Sequence, residues 1–398
     1  MLRILVATMG FDAERGGGIG RLAYDLATGM ARRGHQVTVV CEDLFGRGLE
    51  REVEDGITIL RYQLPRLDRL GLRRHKDHIR AVKNLVTKYL ADPPEVVHGH
   101  SLLQYIAVLD LFKNQSRCCY TIHSPAIDEL RITWGAQGFI GKFKSLFGLP
   151  IIRQLERSLL QQSSGLAAES SYTVGLIARH YGDAIAQKIN VIPGWVDPER
   201  FHPFPQNQVE AVKRRLGWPT DVPVFFVLRR LEPRMGLDNL LHALGIVKKL
   251  GFNPHTVIGG DGSLRANLTK LRDALMLQDN VTFMGFVPAV QLPLAYGSCD
   301  ASIVPTAQLE CFGLIVLEAM ACGRTTLVTP VGALPEVMQK FKSEWIARDA
   351  TPAGIADLLV AFLQNRLPTY SPQELHDVVE RKYAFEQALN AYECLLLR

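Results

Sequence analysis

The sequence predicts an α/β fold made of two doubly wound, Rossmann-like halves. Short apolar runs, typical of buried strands, alternate with longer amphipathic segments, which is the pattern of βαβ units and parallel sheets. This pattern begins again after a cluster of prolines at Pro193, Pro198, Pro203 and Pro205. The chain has 398 residues, 47% of them hydrophobic, which is enough for more than one core of ordinary size.

In the first half we expect a strand, a glycine-rich loop, a helix ended by Gly34 and three further strands. The ranges are 3–8 for the first strand, 16–20 for the loop, 22–33 for the helix, and 36–41, 96–98 and 118–123 for the later strands. The last two strands end in His98 and His123. Polar residues are expected there, because ligands bind at the carboxyl ends of parallel strands.

The second half repeats this architecture without repeating the sequence. We expect strands over 223–228, 255–258, 281–284, 301–304 and 325–329, and helices over 238–250 and 314–321. A final helical segment covers 374–397, and the boundary between the halves is expected near 192–205.

Composition narrows the functional classes. No apolar run reaches the roughly 18–20 residues that span a bilayer, and the first residues fit a buried strand better than a signal peptide. Seven cysteines form no C-x-x-C pair and no zinc spacing, which favours a reducing compartment without a structural metal. The net charge of +5 says little about partners.

The segment DASIVPTAQLECFGLIVLEAMACG, residues 300–323, carries the strongest signal. Glu310 lies in a loop, Phe312, Gly313 and Leu314 open a helix, and Glu318 lies within that helix. A helix start presents unpaired N–H groups that bind phosphate, and eight helical residues rise about 12 Å. We therefore expect Glu310 to face sugar hydroxyls and Glu318 ribose hydroxyls, on either side of a diphosphate. On spacing alone, an ordinary helix with two surface acids is an equal alternative.

This segment resembles the E-x7-E motif of GT4-type retaining glycosyltransferases, and the resemblance covers nearly the whole chain. The other matching segments are GGGIGRLAYDLATGMARRGHQVTVV, VVHGHS, TIHS, INVIPGWVDPERF, VGALPEV and AFEQALNAYECLL. The resemblance implies the GT-B fold, in which two doubly wound Rossmann-like domains face an interdomain cleft. It also implies a hexosyltransferase of glycan biosynthesis that retains the anomeric configuration.

The family pattern assigns a role to each domain. Residues 1–195, with a C-terminal helix over 378–398 packing back on them, would bind the acceptor, and residues 196–377 would bind the sugar nucleotide. The donor would be a UDP- or GDP-sugar, and the acceptor a hydroxyl of a glycan, a lipid-linked glycan or a small molecule. No cofactor is implied beyond the nucleotide sugar as co-substrate. The absence of a D-x-D motif predicts metal-independent transfer.

An arginine cluster follows the strand over 223–228. In the family an arginine and a lysine stabilise the leaving diphosphate here. Arg230 matches the arginine, but Met235 occupies the lysine position. Arg234 and Arg229 are both candidates to replace the charge, although guanidinium and ammonium bind phosphate with different geometry. A site that has lost activity is the other interpretation.

The remaining candidates are weaker singly and gain weight from the resemblance. Gly17 and Gly18 are candidates because glycines let the backbone approach a phosphate closely. The resemblance implies that His123 lies beside the transferred sugar, although a lone histidine is more often structural. The expected catalytic residues are Arg230, Glu310, His123 and Arg234, and the expected donor-binding residues are Gly17, Gly18, Glu318, Phe312, Gly313, Leu314, Arg229, Asp261 and Val287, with no metal ligand.

Two segments suggest peripheral contact with a membrane. Residues 66–88 are basic, and residues 139–149 mix apolar side chains with lysines, as in segments that dock on anionic lipid. The alternatives are a solvated helix face for the first and core packing for the second. Nucleic acid is disfavoured, because the basic residues are not interleaved with stacking aromatics. We expect a cytoplasmic protein, with contact at the inner face of the membrane as a further hypothesis.

Other functions stay open with less support. They are a catalytically degenerate sugar-nucleotide-binding scaffold and a GT-B-shaped sugar-nucleotide epimerase, against which the Glu310 and Glu318 pattern argues. A phosphorylase would need a pyridoxal-phosphate lysine, and a dehydrogenase a clean G-x-G-x-x-G with an acid about 20 residues later. The base, sugar, acceptor, linkage and oligomeric state are left open.

Overall fold

The computed structural model describes residues 1–12, 17–64 and 74–397, without the side chains of Arg74, His75 and Gln206. The chain forms two compact units, Met1–Pro193 with Glu386–Arg398, and Gly194–Phe385. From the sequence, the corresponding breaks are expected after residue 195 and before residue 378. The second break comes later in the structure because Val379 and Tyr383 are buried in the core of the second unit.

Within the described residues, the first unit is built on an eight-stranded sheet of order β3-β4-β2-β1-β5-β6-β7-β8. Its strands are β1 (Arg3–Ala7), β2 (Gln36–Glu42), β3 (Arg51–Glu54), β4 (Ile57–Tyr62), β5 (Val96–Gly99), β6 (Arg117–Ile122), β7 (Gly165–Ala168) and β8 (Ile189–Val191). All pairs are parallel except β3 with β4. In the central register, Leu5 lies opposite Thr38 of β2 and Val97 of β5. Leu5 and Val97 are fully buried, as expected of a parallel sheet covered on both faces.

The helices of the first unit up to residue 193 follow the strands. They are α1 (Gly17–Arg32), α2 (Arg74–Tyr89), α3 (Leu102–Phe112), α4 (Ala126–Gly135), α5 (Gly138–Gln162), α6 (Ser171–Tyr181) and α7 (Asp183–Ala186). Helix α1 begins at Gly17, so the expectation of a loop through residue 20 is wrong for the described part of that range; Gly16 lies outside the described residues. A Cβ atom at Gly20 would lie 3.1 Å from the Gly10 carbonyl oxygen, so glycine there lets the helix approach the chain after β1.

The second unit has a five-stranded parallel sheet of order β11-β10-β9-β12-β13 within the described residues. Its strands are β9 (Val224–Leu228), β10 (His255–Gly259), β11 (Val281–Gly285), β12 (Ala301–Val304) and β13 (Thr326–Val328). Its α-helices are α8 (Gln206–Arg215), α9 (Leu237–Lys249), α10 (Arg265–Ala274), α11 (Leu292–Ser298), α12 (Leu314–Ala321), α13 (Leu334–Met338), α14 (Pro352–Leu363) and α15 (Pro372–Tyr383). The strand order places β9 at the centre, so its carboxyl end adjoins those of β10 and β12.

The segment over 374–397 is helical, as expected, and consists of α15 and a final helix, α16 (Phe385–Leu397), which packs on the first unit. Ala384 separates them with an extended backbone, ψ 140°. Arg33 bonds Glu393 and donates to Glu386 at 2.7 Å, and His35 Nε2 lies 3.0 Å from Glu393 Oε1. These ion pairs and the buried apolar face of α16 attach the end of the chain beside α1.

No helix in the described part of the chain is both long enough and apolar enough to cross a bilayer. This finding concerns helices only and leaves peripheral contact with a membrane as a separate question.

The turn before α9 depends on a glycine. Gly236 has φ 70°, and a Cβ atom there would lie 2.0 Å from the Pro305 carbonyl oxygen. Gly236→Ala therefore combines backbone strain with a collision against a second chain segment. We expect it to lower the melting temperature by well over 5 °C, since positive φ alone costs an L-residue about 1 kcal/mol.

Gly217→Ala is the matched control, because Gly217 has φ 72° with nothing within 4 Å of the added Cβ. We expect this variant to lose only about 2–4 °C by differential scanning calorimetry. Equal losses of melting temperature in the two variants would show that a Cβ at position 236 does not collide with the Pro305 carbonyl.

Candidate functional site

Two loops pack against each other at the carboxyl edge of the second sheet. The Arg229 N–H donates to the Gly259 carbonyl and the Leu231 N–H to the Asp261 carbonyl, both at 2.9 Å. Gly260 has φ 115°, and a Cβ there would lie 1.9 Å from the Arg229 carbonyl oxygen. Glycine is therefore needed for this approach, which fixes the direction in which the chain leaves β9.

Arg234 holds the loop that follows β12. Its carbonyl accepts hydrogen bonds from the Ala307 N–H at 3.0 Å and the Gln308 N–H at 3.1 Å, and its Nη1 donates to the Leu309 carbonyl at 2.6 Å. Leu309 itself has φ 51°, in the left-handed region. The Arg234 guanidinium is thus used in shaping the loop that presents Glu310.

A buried ion pair lies at the centre of this edge. Arg229 pairs with Glu310, and its Nη2 donates to Thr306 Oγ1 at 2.5 Å. Thr306 Oγ1 in turn donates to Glu310 Oε2 at 3.0 Å. Both charged side chains are about nine-tenths buried, and Arg229 Nε has no hydrogen-bond partner. Buried pairs of this kind are costly to break, and the unpartnered Nε leaves donor capacity for an anion.

The position at which the family pattern has a lysine is apolar and internal. Met235 is 4% exposed and belongs to the core of the second unit. Of the two arginines considered as replacements, Arg229 is the one that lies against Glu310, whereas Arg234 reaches the Leu309 carbonyl. Arg230, the next residue after Arg229, is exposed. A guanidinium therefore lies beside Glu310, while position 235 carries no charge.

Glu318 has an aromatic partner. The hydroxyl of Tyr296 donates to Glu318 Oε2 at 3.0 Å, and Tyr296 is fully buried. Burial, together with the negative charge of Glu318, raises the pKa of Tyr296 well above its usual value, while the charge of Arg229 acts in the opposite direction. Tyr296 thus remains a hydrogen-bond donor, and it orients a half-buried carboxylate.

Helix α12 begins without a side-chain cap. Gly313 is its N-cap residue with φ 93°, and having no side chain it caps no N–H of the first turn. The Phe312 ring is buried and packs edge-on against Tyr383, with centroids 6.1 Å apart. Leu314 is half-buried and packs on the core. Of these three predicted donor-binding residues, Phe312 and Leu314 anchor the helix start by their side chains, which leaves the backbone to meet a ligand.

The other donor-binding predictions fall at neighbouring strand ends. Asp261 is exposed, and its Oδ1 accepts a hydrogen bond from the Gly262 N–H at 2.8 Å. Val287 is buried, whereas Phe286 beside it, after β11, is largely exposed. The Val287 side chain packs against Gly259, where an added Cβ would lie 2.7 Å from Val287 Cγ2.

In the first unit, Gly17 and Gly18 are exposed at the start of α1. Gly17 has φ 61°, with nothing within 4 Å of an added Cβ. The chain just before it, residues 13–16, lies outside the described residues. Both glycines therefore present exposed backbone in the first turn of α1.

His123 belongs to a buried cluster at the ends of three adjacent strands. Its Nδ1 lies 2.7 Å from Glu169 Oε1, and its Nε2 lies 3.0 Å from His100 Nδ1. His100 Nε2 is buried without a partner. Carboxylate, imidazole and imidazole thus form one hydrogen-bonded chain, in which both ring nitrogens of His123 are engaged.

His100 and Glu169 were not among the predicted site residues. A polar residue at the carboxyl end of a strand was the reason for choosing His123, and the same criterion selects both residues. His100 directly follows β5, and Glu169 directly follows β7. His98, two residues earlier in β5, packs its ring 4.3 Å from that of His100 and bonds Thr121 Oγ1 at 2.9 Å. Burial lowers the pKa of His98 to about 3 and that of His100 well below its usual value.

The two segments considered for membrane contact differ in what the structure shows. Residues 66–73 of the basic segment lie outside the described residues, and α2 covers the remainder. For the second segment, the alternative of core packing is wrong, because Phe139, Ile140, Phe143, Leu146 and Phe147 are all exposed on α5. Packing in the core therefore does not explain why this segment is rich in large apolar side chains.

No group of three or more His, Cys, Asp or Glu side chains in the described ranges is arranged to hold a metal ion.

Two family models match the chain. The model described as Glycosyltransferase Family 4 matches residues 16–200, and the model described as Glycosyl transferases group 1 matches residues 208–383. The chain belongs to the GT4 family of glycosyltransferases. One relative of this GT4 chain is the GDP-mannose-dependent alpha-(1-6)-phosphatidylinositol monomannoside mannosyltransferase of Mycobacterium tuberculosis. It is 30% identical over 225 residues, a match that spans 55% of this chain and 57% of the relative.

Solved structures show that the GT4 chain has the GT-B fold. Sucrose-phosphate synthase from Thermosynechococcus elongatus matches with a TM-score of 0.78 at 18% identity, covering 98% of this chain and 97% of that one. Anabaena Alr3699/HepE, solved in complex with UDP and glucose, matches with a TM-score of 0.73 at 15% identity, covering 100% and 99%. The predicted fold of two Rossmann-like domains is confirmed.

The buried histidines predict acid sensitivity of the first unit. The folded-state pKa of His98, about 3, lies below the usual 6.5, so between these values the unfolded chain binds a proton that the folded chain excludes. The stabilisation is therefore fully present above pH 6.5 and is lost as the pH falls. From pH 6.5 to 5 the loss for His98 is about 2 kcal/mol, and His100 adds to it in the same direction.

Melting curves at pH 7 and pH 5 of the wild type and of His98→Gln test this. The variant keeps a hydrogen-bonding group but does not titrate, so its melting temperature should fall by roughly 4–8 °C less than that of the wild type. The same fall in both proteins would contradict the prediction.

Proposed function

We propose that this GT4 chain transfers a hexosyl unit from a nucleotide sugar to a hydroxyl group, with retention at the anomeric carbon and without a metal ion. The observation that carries the proposal is the arrangement around α12. Glu310 is held by Arg229 and Thr306 before an uncapped helix start, and Glu318 is held by Tyr296 further along the helix. Two oriented carboxylates with backbone N–H groups between them suit a sugar diphosphate.

The residues match the charges that glycosyl transfer develops. Positive charge grows on the sugar ring and negative charge on the departing diphosphate, so a catalyst gains most from groups that act on these charges. Arg229, Arg230 and the N–H groups at the start of α12 would bind the diphosphate. Glu310 would orient the sugar, and Glu318 would bind the ribose. The two guanidinium groups and the partial positive charge of the helix start would take the place of a divalent metal.

The proton of the acceptor hydroxyl needs no protein base in this proposal. Same-face attack leaves the departing phosphate oxygen beside the attacking hydroxyl, where it can accept the proton. The bond from the anomeric carbon to the phosphate oxygen breaks as the bond to the acceptor oxygen forms. His123, with both ring nitrogens engaged by His100 and Glu169, would contact the sugar through its ring edge or after a change of partner.

The donor and acceptor classes draw on the comparisons. The mycobacterial relative is named for GDP-mannose and a phosphatidylinositol mannoside, and the Anabaena structure contains UDP and glucose. We propose a GDP- or UDP-hexose as donor and a lipid-linked acceptor, with a glycan or a small-molecule hydroxyl as the other classes. Contact with the inner face of a membrane would follow from a lipid acceptor.

The second candidate is a sugar-nucleotide-binding protein without turnover. It is favoured by one observation, the burial of Met235 where the family pattern has a lysine. The position of Arg229 beside Glu310 argues against it, because a guanidinium occupies the site and has a free donor.

Nucleotide binding is the first quantity to measure. We expect one of UDP, GDP, ADP and dTDP, or its sugar conjugate, to raise the melting temperature in the presence of EDTA, since no metal is needed. Glu318→Ala should weaken that binding at least tenfold by isothermal titration calorimetry, because the ribose hydroxyls lose a charged acceptor. No binding of any nucleotide would contradict the proposal. Binding without transfer to any acceptor would favour the second candidate.

We expect the Arg229 guanidinium to contribute more to kcat than to binding of the nucleotide in the ground state. We expect Arg229→Ala to lower kcat by about 10²–10³-fold while the Kd of the nucleoside diphosphate rises less, since removing one donor to a developing oxyanion costs about that much. Arg348→Ala, an exposed arginine of the same unit, is the matched control and should leave both unchanged.

Arg229→Ala with Met235→Lys places a cation where the family pattern has a lysine and should recover part of the activity lost in Arg229→Ala. Circular dichroism and a melting curve show whether each variant folds. Full activity in a folded Arg229→Ala would show that the cation beside Glu310 plays no part in transfer.

A further inference from the structure

One face of α5 exposes a continuous row of large apolar side chains. Its members are Phe139, Ile140, Phe143, Leu146, Phe147 and Ile151, each more than half exposed, with Phe139 at 86% and Leu146 at 69%. Phe139, Phe143 and Leu146 recur at helical spacing, so they lie on one side of the helix. Phe143 and Phe147 also pack their rings together, with centroids 4.8 Å apart. Exposed apolar rows of this size mark an interaction surface.

The large buried side chains of α5 lie in the part of the helix that follows the row. Ile152, Leu159 and Leu160 are buried in the first unit. Glu156 is also buried and accepts hydrogen bonds from the Ala126 N–H at 2.8 Å and from the Tyr181 hydroxyl. These contacts hold the second half of α5 on the first unit. Along the row itself, Gly148 faces the Trp134 ring of α4, which would lie 2.6 Å from an added Cβ.

Beside the row lies a groove lined by arginines. The groove, of about 650 Å³, lies between α4 and α5 and is lined by Ile127, Arg131, Ser145, Leu146, Leu149, Pro150, Arg153, Gln154 and Arg157. This lining contains three arginines and no acidic residue, and Leu146 belongs to both the groove and the apolar row. The two features therefore form one surface, which we call the α5 face.

Each arginine of the groove has donors left for an anion. Arg131 Nη1 donates to Asp128 Oδ1 at 3.2 Å, but Asp128 also binds His180 Nε2 at 2.8 Å through its other oxygen. Arg153 Nη2 donates only to a backbone carbonyl, that of His180, at 3.0 Å. A guanidinium has five N–H donors and matches phosphate geometry. The groove thus carries positive charge that its protein neighbours balance only in part.

We propose that the α5 face docks on the surface of an anionic phospholipid bilayer, with Arg131, Arg153 and Arg157 binding lipid phosphates in the groove. The apolar row enters the boundary between head groups and acyl chains. Lys142 and Lys144, on the same segment as the row, add attraction to the negative surface. The charge of the groove selects this partner, because a protein that covers only the apolar row would not need three arginines beside it.

Vesicle flotation with the full chain tests the proposal without any sugar nucleotide, so its outcome is independent of the proposed transfer. The probes are vesicles of phosphatidylcholine alone and of phosphatidylcholine with 30 mol% phosphatidylinositol. We expect binding to the anionic vesicles at least tenfold tighter than to the neutral ones, and weaker in high salt.

Two sets of variants separate the parts of the surface. Arg131→Gln, Arg153→Gln and Arg157→Gln together should lower binding to anionic vesicles by more than tenfold, since each basic residue near the surface contributes roughly fivefold. Phe143→Ser with Phe147→Ser should lower binding as strongly. The matched controls, Arg214→Gln with Lys248→Gln and Lys249→Gln, and Met276→Ser with Val290→Ser, remove exposed charges or apolar groups from the second unit and should leave binding unchanged.

Three results would overturn the proposal. The first is no binding to either vesicle, and the second is equal binding to both, which would remove the role of the arginines. The third is a concentration-dependent dimer in sedimentation velocity that Phe143→Ser with Phe147→Ser abolishes while vesicle binding is absent, which would assign the α5 face to a second copy of the chain.

Discussion

The carboxyl edge of the second sheet is organised around the buried contact of Arg229 with Glu310 through Thr306. A charged pair about nine-tenths removed from water is expensive unless each member has close partners. Here the partners come from two loops that lie at the ends of neighbouring strands, β9 and β12. Whatever holds these loops, including Gly236, Gly260 and the Arg234 backbone, also holds the charges in place. The contacts that fix these two loops therefore also fix the positions of Arg229 and Glu310.

Positions 229 and 235 show how the charge near Glu310 is arranged in this chain. Met235 is uncharged where the family pattern has a lysine, and the guanidinium of Arg229, at the end of β9, lies against Glu310. Met235 in turn fills the core of the second unit. From the sequence alone, the site lacks a lysine. The structure shows that the guanidinium of Arg229 bonds the carboxylate of Glu310 and the hydroxyl of Thr306.

Much of the fold was predictable because its signals are local. The apolar strands and the helix starting at Leu314 follow from burial and periodicity, and the polar residues after strands lead to Glu310 and His123. What could not be predicted depends on contacts across the chain. Nothing near Arg229 in sequence says that it turns inward to Glu310, 81 positions later, and nothing near His123 identifies Glu169 as its partner. The start of α1 at Gly17 was missed because glycines are poor helix formers, yet Gly20 is needed where the helix passes Gly10.

The path of α16 has a consequence for how the protein is made. The first unit takes Leu389 and Tyr392 into its core from the far end of the chain, after the whole second unit has been synthesised. On the ribosome, residues 1–193 must therefore wait with an apolar surface uncovered while about 190 further residues emerge, at a pace of about 5–20 residues per second. During roughly ten seconds or more, this apolar surface of the nascent first unit can associate with other chains. It is covered only when α16 docks, and the ion pairs of Arg33 and His35 with Glu393 form at that stage.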